Sequence, residues 1–332
     1  MKAMVINQFG DTSVFEEMVL PLPQVVPGHV LIKVKATSVN PLDCKIRQGG
    51  TYAGLVKQFP MILHGDIAGT IEQIGDGVTQ FSIGDDVYGC VGGLLDMGGG
   101  LAEYIVADEN LITHKPKTLS FLEASALPLV ALTAWEGLIT YANTQKNQTV
   151  LIHGGTGGVG HIAIQLAKWL GAKVFSTSSS DKLELLKKIG ADGAIDYQKS
   201  DVKSYVTQYT GGDGFDVVFD TVGGDNFNKC IEAAALFGKV ITVIPPNNAD
   251  LNAARNKGLS LLFVLQPLPL LTGERRQDYG KILAQISELV DHGAIKPLID
   301  PQRFTVSQVG LAHAHLESGK AVGKIVLEQM SS

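Results

Sequence analysis

The stretch that decides the fold is TVLIHGGTGGVGHIAIQLAKWLGAKVF, residues 149–175. A short apolar run, TVLIH, leads into a knot of glycines. GVGHIAIQLAKWLG follows, and then a second apolar run, KVFST. Periodicity reads these segments as strand, turn, helix closed by Gly171, and strand. Gly155-Thr156-Gly157-Gly158-Val159-Gly160 satisfies G-x-G-x-x-G. The pattern gains meaning from its setting, after a strand and at the opening of a helix. The first glycine is expected to permit the turn, the second to let the main chain approach a pyrophosphate, and the third to let helix pack on strand. Free N–H groups and the positive end of the helix dipole suit phosphate. The competing reading is a tight strand-to-helix turn that holds nothing.

Alternation continues outward from this unit. DKLELLKKIG reads as a helix, with Asp181 as N-cap and Gly190 at its end. FDVVFDTVGG reads as strand and turn, and GKVITVI as another strand. Repeated strand–helix–strand order predicts an α/β, doubly wound parallel sheet. The first 120 or so residues have a different texture. In HVLIKVKATSV, Ile32, Val34 and Ala36 alternate with Lys33, Lys35 and Thr37, the period of a half-buried strand. GTIEQIG and GDDVYGCV continue the β pattern. The texture changes near residue 121, where FLEASALPLVALTAWEGLI is helical in composition and interrupted by Pro128. Late in the chain, RQDYGKILAQISELVDHG is an amphipathic helix and GKIVLEQ a last strand.

The bulk numbers set limits. A chain of 332 residues suits two domains. With 45% hydrophobic and 18% charged residues it can bury a sizeable core. A formal charge of −6 and no long basic run argue against nucleic acid or an anionic membrane as partner. Cys44, Cys90 and Cys230 are too scattered for a disulfide framework or a Cys-x-x-Cys clip, which fits a reducing cytosol. The start, MKAMVINQFGD, lacks the apolar core of a signal peptide, and the greasiest run, 259–271, is too short to span a bilayer. A soluble, cytoplasmic protein is expected.

The nucleotide preference is read from the next strand's end. An NAD site places a carboxylate about twenty residues past the glycines, for the ribose 2′-OH. Here the position is filled by the serine run 176–180, followed by Asp181 as helix cap. Hydroxyls and an ammonium suit a 2′-phosphate, so Ser178 and Lys182 are candidate contacts and NADPH is the expected cofactor. Lys182 also reads as a plain solvated helix lysine. Tyr197, in AIDYQ, is a candidate on the adenine side. DTVGG (220–224) and VIPPN (243–247) are expected on the sheet edge that carries the glycines, placing Val222, Ile244 and Pro245 near the nicotinamide half.

Over nearly its whole length the chain resembles the medium-chain dehydrogenase/reductase superfamily, in its zinc-free quinone oxidoreductase and enone (alkenal) reductase branch. ATSVNPLDCKIRQG, HGDIAGTIEQIGDGVTQFSIGDDVYG, GGGLAEYIVAD, ASALPLVALTAWEGL, VLIHGGTGGVGHIAIQLAK and GKAVGKIVL carry the resemblance. It implies a GroES-like, partly open β-barrel built from both chain ends, residues 1–121 and 272–332. A Rossmann NADP(H)-binding domain, 122–271, is inserted between them. Zinc-dependent members use Cys, His and Cys as catalytic ligands; the matching positions are Asn40, Gly65 and about Leu129, none of which supplies the expected N or S donor. The four clustered cysteines of a structural zinc lobe are absent from the sequence. No metal is therefore expected. His64, beside Asp66, reads as a hydrogen-bonded interior or cleft histidine. The resemblance also places Thr133 and Lys324 toward the cofactor, although Lys324 reads equally as a surface lysine.

Without a Lewis acid, the accessible chemistry is hydride delivery to an acceptor that is already activated. A quinone or an α,β-unsaturated carbonyl takes hydride at carbon and spreads charge onto oxygen. The candidate polar groups are Asn40, for the nicotinamide ribose or substrate, Asp43, to orient a donor, and Tyr52, a phenol able to give a proton. A tyrosine stands at the matching motif position in related enoyl reductases. Arg47 is placed to pair with Asp43, four residues back, and Trp135 to pack the domain junction. The sequence thus predicts an NADPH-dependent, zinc-independent reductase of quinones or enones. The alternative is an NADPH-binding structural or regulatory protein, crystallin-like, with little turnover. The apolar run 259–271 is read either as the edge strand of a homodimer or as a buried strand.

Overall fold

The computed structural model describes residues 1–329. The chain divides into two compact units, one of residues 1–129, 267–293 and 297–332, the other of 130–266 and 294–296. The first division falls at 129/130, eight residues beyond the composition break. The extra segment is held by packing: the helix Phe121–Ser125 lies against the strands His29–Ser38 and Asp66–Ile74 of the first unit. Its N-terminus is closed by a reciprocal Ser120/Glu123 capping box. Pro128 opens a second helix, Pro128–Trp135, rather than interrupting one, since a first-turn residue has no intrahelical N–H bond to lose.

The first unit is built on a seven-stranded sheet. Its order is Phe304–Thr305, Val326–Glu328, His29–Ser38, Asp66–Ile74, Asp86–Cys90 and Ile112–His114, with Tyr104–Asp108 also pairing to His29–Ser38. His29–Ser38 is the hub: Ser38 sits opposite Val326, Thr37 opposite Ile67, and Ile32 opposite both Ile71 and Ile105. Ile32, Val34 and Ala36 are buried as the alternation requires. Thr37 departs from it and is fully buried, because its hydroxyl finds a carbonyl inside. The amphipathic helix Arg276–Asp291 docks on this unit, where the buried Tyr88 hydroxyl donates to the Leu283 carbonyl at 2.8 Å.

The second unit is the expected parallel sheet. Its six strands run Gly193–Asp196, Lys173–Ser178, Thr149–His153, Phe215–Asp220, Ala234–Thr242 and Ser260–Phe263. All pairs are parallel. Register places His153 beside Asp220 and Asp220 beside Thr242, so the loops that follow these strands leave from one edge. The interior is filled by Leu151, Val218, Phe215, Phe227 and Val240, all essentially without solvent contact. Trp135 stacks on Trp169 within this unit, ring centroids 6.4 Å apart.

The run 259–271 is neither of the two expected forms throughout. Only Ser260–Phe263 is strand, at the sheet edge, and Leu268–Thr272 is a short helix belonging to the first unit. Pro267 and Pro269, lacking N–H donors, end the ladder.

Candidate functional site

The glycine turn is built as a cradle, but its glycines divide the labour differently from expectation. The turn itself is made by Gly154, at φ +73°, which precedes the motif. Gly155 is a packing glycine: a Cβ there would lie 2.0 Å from Ser176 Oγ and 2.6 Å from Leu186. At Gly160 a Cβ would lie 2.2 Å from the Gly154 carbonyl oxygen, so the helix can approach the turn only without a side chain. Gly157 is the exception. Its Cβ would meet only the Gly154 oxygen, at 3.2 Å, and its φ of −84° suits any residue. The fold asks less of position 157 than of 155 or 160, so Gly157 is the glycine of the motif left as the candidate for close approach of a ligand to the main chain. Gly157 is the N-cap of the helix Gly158–Trp169. The first intrahelical bond at this end is from His161 N–H to the Gly157 carbonyl, which leaves the N–H groups of Gly158, Val159 and Gly160 ahead of it for an anion.

Several sequence candidates gather beside this turn. Thr156 Oγ1 and Ser178 Oγ are 3.0 Å apart, both buried, and Tyr197 N–H donates to the Ser178 carbonyl at 3.3 Å. The Tyr197 ring is 55% exposed, open to a ligand. Lys182 is half-buried on the short turn Ser180–Lys182. Asp181 is not the cap of the following helix; that place belongs to Lys182, while Asp181 is exposed and accepts from Ser179 Oγ at 2.6 Å. A carboxylate that sequence distance concealed, Asp196, accepts from Ser180 Oγ and from Gln198 N–H at 3.0 Å.

On the same sheet edge, Asp220 fixes the DTVGG turn by accepting from Val222 N–H and Gly223 N–H, each at 3.0 Å, and from Asn226 Nδ2 at 2.8 Å. Val222 is left 52% exposed. Ile244 is held against this turn: its carbonyl accepts from Thr242 Oγ1 at 2.8 Å, and a Cβ on Gly223 (φ +75°) would lie 2.4 Å from its own Cβ. Pro245 follows. Thr133 is buried on the helix Pro128–Trp135. His153, at the strand end before the glycines, shares Nδ1 with Thr177 Oγ1 at 3.2 Å; burial brings its imidazole down to about 4, against the opposing pull of Asp220.

The first unit holds a different cluster, centred on a carboxylate with no exposed surface. Asp66 Oδ2 accepts from Ser38 Oγ and Asn40 Nδ2, both at 2.8 Å, and faces Lys324 Nζ at 3.4 Å; Oδ1 accepts from Leu129 N–H at 2.8 Å. Lys324 is not a surface lysine. It is 3% exposed and donates to the Val39 carbonyl at 2.9 Å and to Asn40 Oδ1. Asn40 N–H donates to Asp43 Oδ2 at 2.7 Å, so Asp43 caps the helix Pro41–Gln48 from its first turn. Burial raises the Asp43 carboxyl to about 7, reinforced by the charge of Asp66 and opposed by the Asn40 N–H and by Lys324.

The expected Arg47–Asp43 pair does not form. Arg47 Nη2 reaches Glu317, on the helix Val309–Glu317, and Gln48 Nε2 donates to the same carboxylate oxygen at 2.7 Å. Burial of Asp43 at the first helical turn takes it out of reach, and the carboxylate of Glu317 stands over the last turn. Tyr52 sits half-buried in the turn Gly50–Leu55, with Lys45 Nζ 5.4 Å from its ring centroid. His64 is interior, as expected, but at φ +72°. Its Nε2 is 2.9 Å from His313 Nε2, whose Nδ1 is 3.3 Å from Cys44 Sγ, and its Nδ1 is 3.3 Å from Thr37 Oγ1. Burial holds His64 well below the usual imidazole range and His313 down to about 3.

The sequence left Asp66, Ser38 and Lys324 unconnected, although Asp66 carried a signal: a carboxylate opening a buried apolar strand must be paired. At the positions matching zinc ligands, Gly65 has no side chain, and a Cβ there would lie 2.8 Å from the Gly92 oxygen. Leu129 contributes only its N–H. Among the described residues no group of three or more His, Cys, Asp or Glu is placed to hold a metal ion.

One unit of GroES-like β-sheet type and one of parallel Rossmann type, in one chain, define the class of the medium-chain dehydrogenases. Sequence profiles agree: one described as "Alcohol dehydrogenase GroES-like domain" matches residues 26–117, and one described as "Zinc-binding dehydrogenase" matches 189–327. The chain is 33% identical over 339 residues to the chloroplastic NADPH-dependent alkenal/one oxidoreductase of Arabidopsis thaliana, covering 98% of this chain and 79% of that one. An alcohol dehydrogenase superfamily protein from Novosphingobium aromaticivorans superposes with a TM-score of 0.94 at 36% identity, over 99% of each chain. The quinone oxidoreductase from Coxiella burnetii gives 0.84 at 32%, again over 99% of each. The chain belongs to the quinone and alkenal oxidoreductases of the medium-chain dehydrogenase/reductase superfamily.

Two outcomes follow from this geometry. Gly160→Ala will destabilise the protein by about 1–3 kcal/mol, the cost of forcing an extra methyl against main chain, whereas Gly157→Ala, whose methyl meets one main-chain oxygen at 3.2 Å, will lose less stability and lose NADPH affinity; urea titration and NADPH fluorescence titration separate them. The stability that Asp43 contributes is fully present below its unfolded value of 3.8 and is lost as pH rises through about 7. Melting temperatures of wild type and Asp43→Asn, compared from pH 4 to pH 8, will therefore diverge, with the wild type losing ground as pH rises.

Proposed function

We propose that this chain is an NADPH-dependent oxidoreductase that reduces quinones or α,β-unsaturated carbonyls without zinc. The observation that carries the reading is the pairing of two features: a glycine turn at a helix N-terminus whose central glycine is the least constrained by packing, and a buried amide–carboxylate–ammonium cluster at Asn40, where zinc-dependent relatives place a thiolate. NADPH, when bound, supplies a hydride from its dihydropyridine ring. The chain's own groups do the rest. Gly157, Gly158, Val159 and Gly160 offer main chain to the pyrophosphate, with Gly155 packing the turn beneath them. Ser178 and Lys182 offer a hydroxyl and an ammonium to a 2′-phosphate, Thr156 stands beside Ser178 in the glycine turn, and Tyr197 lies on the adenine side. Val222, Ile244, Pro245 and Thr133 line the nicotinamide half.

Each turnover consumes one NADPH and one proton. Two electrons and a hydrogen enter the acceptor at carbon, the charge moves to its oxygen, and a proton completes the saturated carbonyl or hydroquinone. Asn40 is the hydrogen-bonding group for that oxygen, and Tyr52 is the proton donor, with water able to serve for a quinone. Zinc independence rests on the residues: Lys324 already places a cation on the Asn40 oxygen, and Gly65 and Leu129 bring no ligand atom. A homodimer through the edge strand Ser260–Phe263 completes the reading. That strand pairs on one side only among the described residues, and Phe263 and Leu265 are more than half exposed. A cytoplasmic location goes with it.

Steady-state NADPH oxidation with a panel of quinones and 2-alkenals is the direct test. Acceptor-dependent turnover that chelators leave unchanged is expected; no acceptor raising consumption above background would turn the assignment to a nucleotide-binding protein, and stoichiometric zinc would overturn the metal-free chemistry. Sedimentation at micromolar concentration should give twice the chain mass, and a monomer would refute the edge-strand dimer.

A further inference from the structure

The hydroxyls of the serine run are nearly all engaged before any ligand arrives. Ser176 Oγ donates to the Ile152 carbonyl at 2.7 Å, Ser179 Oγ to Asp181 Oδ1 at 2.6 Å, and Ser180 Oγ to Asp196 Oδ2. Thr156 Oγ1 and Ser178 Oγ share one hydrogen bond at 3.0 Å, which leaves that pair one hydroxyl hydrogen. Two of the serines thus serve carboxylates. Both carboxylates are charged at neutral pH: the Ser180 hydroxyl holds the Asp196 carboxyl below the usual range, and the Ser179 hydroxyl does the same for Asp181. Asp196 ends the strand Gly193–Asp196 directly opposite Ser178, about 4.8 Å across the ladder and on the same face of the sheet. The N–H of the next residue, Tyr197, donates to the Ser178 carbonyl. Asp196 Oδ2 is also 3.6 Å from Lys199 Nζ, on a side chain 74% exposed. Asp181 feels the charge of Lys182 and of Asp196 through space. Two carboxylates and two ammoniums therefore share the rim to which Ser178 and Lys182 would draw a 2′-phosphate.

We propose that Asp196 is a specificity-determining residue of the nucleotide site, whose carboxylate opposes a 2′-phosphate and suits a 2′-hydroxyl, so that the chain accepts NADH as a second reductant beside NADPH. The inference rests on the nucleotide-binding reading above and deepens it. A carboxylate next to the ribose is the device used by sites for the unphosphorylated dinucleotide. Such sites place it near the end of the second strand, where this chain has serines; here the third strand supplies it. The ammonium groups pull the other way. Lys182 attracts the phosphate, and Lys199 covers part of the Asp196 charge. A phosphate on this rim meets one free hydroxyl hydrogen and ammoniums whose attraction is set against nearby repulsion, so NADPH is favoured only modestly. Ser180 is a positioning residue in this account: its hydroxyl faces the carboxylate instead of the ligand and keeps Asp196 ionised.

The test uses the full chain in wild-type, Asp196→Asn, Asp196→Ala and Lys182→Gln forms. It reads the Kd of NADPH and of NADH by fluorescence titration, at about 50 mM and about 500 mM NaCl. The two dinucleotides differ only in the 2′-phosphate, so a variant that merely loosens the fold weakens both alike, and their ratio reports the charge. Wild type is expected to bind NADH within about tenfold of NADPH. Asp196→Asn keeps an acceptor for Ser180 and removes the charge. It is expected to tighten NADPH by about threefold to tenfold at low salt, with NADH unchanged or weaker, and to lose most of that gain at high salt. Asp196→Ala removes the same charge and carries the test if Asp196→Asn does not fold. Lys182→Gln moves the ratio toward NADH; if it does not, the phosphate lies elsewhere and the proposal falls. A wild-type preference for NADPH of about a hundredfold or more overturns it as well. So does a ratio unmoved by loss of the Asp196 charge, or a change there that is equal for both dinucleotides or indifferent to salt. A wild type that binds neither dinucleotide overturns the proposal together with the nucleotide site it rests on. One that binds both and reduces no acceptor fails the reductase reading alone, and the ratio still decides the role of Asp196.

Discussion

A carboxylate with no surface in water must be met by donors on every side, and Asp66 imposes that requirement on the first unit. The demand is satisfied by a serine hydroxyl, an asparagine amide, a helix N-terminal N–H and a lysine ammonium, drawn from three separate stretches of sequence. Removing one of them would leave a buried charge short of a partner, at a cost of several kcal/mol. The same arrangement sets the angle of Asn40, whose main-chain N–H opposes the rise that burial imposes on the Asp43 carboxyl. The Asp66–Lys324 pair is thus weak evidence for stability, since apolar residues of similar volume fill such space without desolvating charge.

The second unit obeys a different constraint. A parallel sheet sends every strand end to one edge, so residues far apart in sequence arrive together without any side-chain contact having to arrange it. Thr156, Ser178 and Tyr197 come from three successive strand ends and meet within hydrogen-bonding distance. Asp220 performs locally what Asp66 does in the first unit, spending its oxygens on the N–H groups of its own turn. The glycine-turn edge is therefore mostly main-chain geometry, whereas the Asp66 cluster is mostly side-chain electrostatics.

That difference explains what could be read from the sequence. The strand–glycine–helix order at 149–175 carried the Rossmann fold because local periodicity and turn chemistry determine it. The role of each glycine was less accessible: positive φ falls on Gly154, and only coordinates separate a tightly packed glycine such as Gly160 from a less constrained one such as Gly157. Asn40 and Asp43 were visible within NPLD, a short motif. Lys324 was visible only through resemblance, and its link to Asp66 joins residues 258 apart in sequence. Arg47 shows the matching error, in which an i, i+4 rule for exposed helix faces was applied to a helix whose carboxylate is buried and whose guanidinium is claimed by Glu317. The unit boundary at 129 was hidden for a related reason. The helix Phe121–Ser125 has the composition of the segment after it but packs on the sheet before it.

The strand Val326–Glu328 pairs with His29–Ser38, so the first unit closes across almost the whole chain. The second unit lies almost entirely within one uninterrupted stretch. On a ribosome, the nucleotide fold has all its strands long before the barrel has its last one. Until Lys324 is synthesised, Asp66 has no cation and Asn40 no fixed orientation. The parallel sheet is thus complete in sequence before the buried cation and the closing strand of the first unit exist, so a chain cut short near its C-terminus loses the first unit's inner pairing and leaves the second unit's strands intact.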